Sequence, residues 1–236
     1  LPVAAYLSTA SKLGGVVALA AVVARLETGP LLAVLAVLTM TVGNLVALRQ
    51  TRMVRLLAWS SVAQAGYILA PLAAGAAGVE AAAAYAVFFV VLEFIAFAAL
   101  VSLRPPGADG GEIAGYRGVA RRSPWPAAAL VLAFAGLAGL PPGLAGLFAK
   151  VTIVDALIDT GWGWLAGVVA LNAVIALAYY LRAAAVLYAA PVGIAVADLR
   201  PPKLPVPWPV AAAIAVATIT AIALGFYPQL VFAALA

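Results

Sequence analysis

Two lysines and one glutamate stand in the middle of long apolar runs: Lys12 within 3–24, Glu93 within 81–103 and Lys150 within 124–158. Each lies about ten residues from the nearer end of its run, hence roughly 13–18 Å from the interface if the runs are membrane-spanning helices. A lysine side chain reaches only about 6 Å, so snorkelling does not return Lys12 or Lys150 to water. A charge at such depth costs at least about 2.5–3.5 kcal/mol on insertion scales. Groups of that cost need partners, water, or protonation states that differ from those in solution. Two lysines and one glutamate do not balance, so one lysine is expected to be neutral, hydrated, or paired outside the chain. The chemistry these residues suit is the gain and loss of protons, a relay across the midplane. The structural alternative is a set of buried ion pairs that fasten helices together.

Smaller polar residues accompany them inside the same apolar runs. Ser8, Thr9 and Ser11, then Thr39, Thr41 and Asn44, then Ser60, Ser61, Gln64 and Tyr67, and finally Asn172, Tyr179 and Tyr180 could each hydrogen-bond between helices. Together they could order a file of water between the ionisable groups. Asp155 lies five residues beyond Lys150, about 7 Å along a helix, as an exit group or an interfacial carboxylate.

These residues have to be positioned by helices in hydrocarbon. Of 236 residues, 67% are hydrophobic and 9% charged, and the mean hydropathy is +1.17. A soluble globule of this length could not hide so much apolar surface. A membrane barrel would alternate polar and apolar residues, which the sequence does not. The expected fold is an all-α polytopic bundle of about seven transmembrane helices over 3–24, 31–48, 54–72, 81–103, 124–158, 162–190 and 208–226. The run 124–158 is too long for one straight span and is interrupted by Gly139-Leu140-Pro141-Pro142-Gly143. Two prolines remove two backbone donors and clash with the preceding turn, so this helix is expected to break. In hydrocarbon such a break is tolerated where it is buried or lines a wet cavity. The half-helix that begins after it would direct its positive end toward Lys150.

Neither cysteine nor histidine occurs, which removes disulfides, Cys-ligated clusters and the usual zinc and haem ligation, so no metal or cofactor is expected in this chain. The net charge of +5 is spread over short loops and points to topology, not to nucleic acid. One set of connections carries Arg49, Arg52 and Arg55, then Arg104, Arg117, Arg121 and Arg122, then Arg200 and Lys203; the other carries Arg25 with Glu27, then Glu80, then Asp159. The positive-inside rule makes the first set cytoplasmic, so the N-terminus starts inside and the C-terminus ends outside. Arg182, about 20 residues and roughly 30 Å into its span, falls at the cytoplasmic interface. Leu1-Pro2 runs straight into an apolar stretch with no charged region or cleavage site before it, which is unlike a signal peptide and suggests a longer protein upstream.

The motifs also come in a recognisable order. Ala5-Tyr6-Leu7-Ser8-Thr9-Ala10-Ser11-Lys12 is followed by the run from Thr39 to Gln50, by the run from Arg55 through Trp59-Ser60-Ser61 and Gln64 to Tyr67, and by Gly115-Tyr116-Arg117-Gly118 through Pro124. Leu137-Ala138-Gly139-Leu140-Pro141-Pro142-Gly143 through Lys150, and Leu171-Asn172 through Tyr179-Tyr180-Leu181-Arg182, complete the series. In this order the chain resembles the C-terminal half of the proton-translocating antiporter-like subunits of respiratory complex I, with subunit N the nearest in look. The resemblance implies proton translocation coupled to NADH:quinone oxidoreduction, within a translocase whose NADH, flavin, iron–sulfur clusters and quinone belong to partner subunits. It implies other membrane subunits of that complex as partners, a bacterial cell membrane as the setting, and no proton carriage by this half alone. It also implies that 1–24 is the last helix of a first repeat, 31–190 a second five-helix repeat with one broken helix, and 208–236 a terminal helix and tail. Lys12 would be the central relay lysine and Lys150 the lysine of the second broken helix, in the outward-leading half-channel. Two departures stand out: Gln64 occupies a place where the family often carries histidine, so water would have to bridge there, and Glu93 stands where an uncharged polar residue is more usual. Glu93 is expected to compensate, giving the order Lys12, Glu93, Lys150, with Gln64, Ser60, Asn44, Asn172 and Asp155 along a secondary polar path. The alternatives are a subunit of a monovalent cation/proton antiporter, a purely structural membrane subunit, or an unrelated secondary transporter.

Overall fold

A computed structural model describes residues 2–23, 25–104, 110–190 and 206–235. The main helices are α1 (Pro2–Val23), α2 (Gly29–Leu48), α3 (Met53–Leu72), α4 (Val79–Leu103), a single turn α5 (Val119–Arg122), α6 (Pro124–Ala138), α7 (Leu144–Asp159), α8 (Gly163–Tyr188), α9 (Trp208–Phe226) and a short α10 (Gln229–Leu235). Among the described residues there is no strand beyond one isolated antiparallel bridge between Arg52 and Glu112. The helices fall within a few residues of the runs expected from sequence, and the long run divides into α6 and α7 where the prolines stand.

By length and composition, α1, α2, α4, α8 and α9 are each able to cross a membrane, and α6 is a shorter apolar helix. The other expected span, α3, has 20 residues but carries Ser60, Ser61, Gln64 and Tyr67, all buried inside the bundle. Its polar groups face protein, so its sequence need not be as apolar as that of a lipid-facing helix.

Apolar on every side, α4 is the helix the others surround. It packs on α1, α3, α6, α7 and α9, and brings Glu93 with it into the centre. α2 and α3 approach closely because small residues face each other: a Cβ on Gly43 would stand 2.6 Å from the Ala63 nitrogen, and one on Gly66 2.6 Å from the Met40 nitrogen. On the opposite side α2 exposes Leu31, Val34, Leu35, Leu38, Val42 and Leu45, an outward apolar stripe at helical spacing.

At one end of the bundle the loops are tied together. The Met53 amide donates to the Gly111 carbonyl at 3.2 Å and the Ile113 amide to the Thr51 carbonyl at 2.7 Å. Arg182 donates to the carbonyls of Leu48 at 2.9 Å and Gln50 at 2.7 Å, a cation on the exposed carbonyls at the end of α2. Arg182 and the Arg49–Arg52 turn therefore share one end, as the charge pattern requires. Arg200 and Lys203, counted with the same set, lie outside the described residues.

Candidate functional site

The break between α6 and α7 is built by Gly139, whose φ of +84° ends α6 in the left-handed region. The Gly139 and Leu140 amides both return to the Ala135 carbonyl, at 2.9 and 2.8 Å. The last carbonyls of a helix have no partner within it, and here two of them meet Lys150. Its Nζ donates to the Leu137 and Ala138 carbonyls at 2.8 Å each and lies over the Tyr67 ring at 5.4 Å from the centroid. Lys150 therefore faces the negative, carbonyl end of α6. Where the positive end of the following half-helix was the expected neighbour, Lys150, the seventh residue of α7, directs its donors to these α6 carbonyls. A Cβ on Gly139 would stand 3.1 Å from Lys150 Cδ, so the lysine lies along a glycine surface.

Lys12 is half-buried on α1. It donates to the Ser61 carbonyl and, at 2.5 Å, to Ser61 Oγ, with Nζ 4.4 Å from the centre of the Phe89 ring. Ser61 Oγ is 2.6 Å from Ser8 Oγ, and Ser8 donates at 2.9 Å to Glu93 Oε1. Two hydroxyls thus join a buried carboxylate to a lysine of opposite charge. Glu93 is wholly buried, and among the described residues its Oε2 has no hydrogen-bond partner. A cavity of about 420 Å³ beside Lys12, lined also by Ser8, Ser61, Ala58 and Phe97, offers room for water or another side chain next to the ammonium.

Between these two centres lies Gln64, with no exposed surface. Tyr85 donates to its Oε1; its Nε2 donates to Tyr180 Oη at 3.3 Å and to the Leu137 carbonyl at 3.5 Å. The Leu137 carbonyl is therefore shared by Gln64 and Lys150. A further buried cluster continues outward: Asn44 Nδ2 donates to Asn172 Oδ1 at 3.0 Å and to Tyr67 Oη at 3.4 Å, Tyr179 donates to Asn44 Oδ1 at 3.0 Å, and Asn172 donates to Thr41 Oγ1 at 3.3 Å.

Of the residues singled out from sequence, Lys12, Glu93, Lys150, Gln64, Asn44 and Asn172 all enter this interior. Ser60 is buried too, donating back to the Leu57 carbonyl at 2.7 Å within its own helix and pairing with the Tyr180 hydroxyl. Asp155 is exposed on α7 and is not brought into the cluster. Sequence reading passed over Tyr85, Phe89 and the Leu137 and Ala138 carbonyls. The carbonyls had a signal, since the expected break must free them; Tyr85 and Phe89 look like ordinary apolar-run aromatics. Among the described residues no cluster of His, Cys, Asp or Glu could hold a metal ion.

A multi-pass helix bundle with one broken helix and buried ionisable groups has the architecture of a polytopic membrane subunit. Residues 1–176 match the transmembrane family described as NADH:quinone oxidoreductase/Mrp antiporter, and the chain belongs to that family. It is 59% identical to NADH-quinone oxidoreductase subunit N of Salinispora tropica, over 98% of this chain and 52% of that protein. Its fold matches a chain of respiratory complex I from Thermus thermophilus, determined with bound aureothin, with a TM-score of 0.74 and 33% identity, over 88% of this chain and 45% of that one. The Mrp complex of a Dietzia species matches at a TM-score of 0.74 and 22% identity, over 89% of this chain and 46% of that one, a likeness of fold alone. The chain spans about half the length of the curated relatives it matches.

Proposed function

We propose that the chain is part of the proton-translocating membrane arm of an NADH:quinone oxidoreductase, and that Lys12, Glu93 and Lys150 pass protons along its midplane. The observation that carries this reading is the chain of contacts Lys12–Ser61–Ser8–Glu93 inside a membrane bundle that also buries a second lysine, Lys150, on a helix break. Serine hydroxyls both donate and accept, so they can hand a proton between a lysine and a carboxylate without moving a side chain. Electrostatic coupling supplies the order of events: a proton on one lysine raises the cost of a second nearby, so charge advances stepwise. Redox chemistry stays with partner subunits, which hold the NADH, flavin, iron–sulfur and quinone sites, and energy reaches this chain as a change in the membrane arm.

In this reading 1–24 is the last helix of a first antiporter-like repeat, 31–190 is the second repeat with α6 and α7 as its broken helix, and 208–236 is a terminal helix and tail. The end bearing Arg49, Arg52 and Arg182 is cytoplasmic, in a bacterial cell membrane, and Lys150 belongs to the half-channel leading outward. Asp155 lies beyond it as an exit or interfacial group.

Two measurements test the assignment. The natural protein carrying this chain, tagged and purified in mild detergent, should bring quinone-reducing subunits with it; recovery with cation/proton antiporter partners would favour that rival. In inverted membrane vesicles, Lys12→Ala should assemble and lose most NADH-driven acidification. Full acidification in that variant would make the buried charges structural.

A further inference from the structure

Gln64 links polar groups of both sides: its partners Tyr85 and Tyr180 lie within electrostatic reach of Glu93, and it shares the Leu137 carbonyl with Lys150, yet the polarity of its bonds does not permit proton passage. A hydroxyl can receive a proton on one side and release another on the opposite side. A carboxamide cannot, because its oxygen only accepts and its nitrogen only donates. Tyr85 fixes the oxygen of Gln64, while the nitrogen points at Tyr180 and at the Leu137 carbonyl. Lys150 donates to that same carbonyl at 2.8 Å, so two donors meet head to head, and among the described residues its ammonium meets two carbonyls and a ring face. On the other side Tyr180 lies within electrostatic reach of Glu93.

We propose that Gln64, held by Tyr85 and Tyr180, is a gate that closes the proton path between Glu93 and Lys150 in this conformation. Release of the amide would admit water between Tyr180 and Lys150; only N–H and O–H bonds then break and form, one proton leaving Lys150 for water as another moves on. Tyr85 is the positioning residue, since its hydroxyl alone holds Oε1, and its ring is stacked on Tyr67 at 5.8 Å, beside the lysine. The gate rests on the relay reading above and adds the point at which the relay is interrupted.

The test uses the complete complex reconstituted into vesicles, with two readouts: decay of an imposed pH gradient without substrate, and acidification per quinone reduced. Gln64→Glu and Gln64→His put a group at this point that both accepts and releases protons. Both are expected to speed gradient decay several-fold and to lower acidification per quinone, and the double variant Gln64→Glu/Lys150→Ala to restore slow decay. Tyr85→Phe, which removes one oxygen and leaves the ring, should give a smaller rise in decay and carries the test if a position-64 variant fails to assemble. Wild-type decay and coupling in these variants would overturn the gate. Normal pumping by Lys150→Ala would instead remove the relay; impaired pumping there with a tight Gln64→Glu membrane would remove the gate alone.

Discussion

A carboxylate with one oxygen bonded and the other bare, as Glu93 has, is poised to exchange a proton or hold a water, and it is the residue whose removal separates relay from glue. Glu93→Gln keeps the volume and the acceptor for Ser8 and removes the exchangeable charge; it should permit assembly and slow NADH-driven acidification of vesicles, whereas unchanged acidification would leave Glu93 structural. The outer cluster makes a different prediction. Tyr179→Phe withdraws the donor from the buried Asn44 Oδ1, leaving an acceptor unsatisfied at about 1–3 kcal/mol; it should lower the thermal midpoint of the purified protein while acidification is retained. Both lysines and Glu93 were legible from sequence because a charge amid twenty apolar residues has no ordinary reason to be there. Tyr85 and Phe89 were not, since an aromatic in an apolar run carries no sign of what its hydroxyl or face will meet.

Helix α6 had to break, and the two prolines with their flanking glycines made that plain. Which dipole end would meet Lys150 was not plain, because it depends on how the two half-helices overlap: a Cβ on Gly146 would stand 1.7 Å from the Gly136 carbonyl oxygen, so α7 begins pressed against the last turn of α6. Gly146→Val should therefore prevent that overlap and reduce the amount of assembled protein in membranes, measured by immunoblot. Gly139→Ala acts more locally: its φ of +84° strains any L side chain, and its new Cβ would stand 3.1 Å from Lys150 Cδ. Its expected result is assembled protein with slowed acidification; normal acidification would show that the seat of Lys150 tolerates displacement. The bond between Tyr85 and Gln64 across α4 and α3 belongs to this scale too, since it depends on helix register that composition does not encode.

The molecule as a whole sets a small group of buried polar side chains within an apolar bundle. α2 exposes leucines and valines while Asn44 is buried, and α3, polar for a membrane helix, buries Ser60, Ser61, Gln64 and Tyr67. Run lengths foretold the helices themselves, since hydrocarbon thickness sets how long an apolar run must be. The joining of Lys12 to Glu93 through two serines, and the carbonyl shared by Gln64 and Lys150, emerge only from packing, because these residues sit on α1, α4, α3 and α7. The most direct measurement is the initial rate of NADH-driven acidification of inverted vesicles carrying Lys150→Ala, at matched complex content. A rate reduced to a small fraction of wild type, with assembly intact, is the expected result; a wild-type rate would contradict a proton path through the buried lysines.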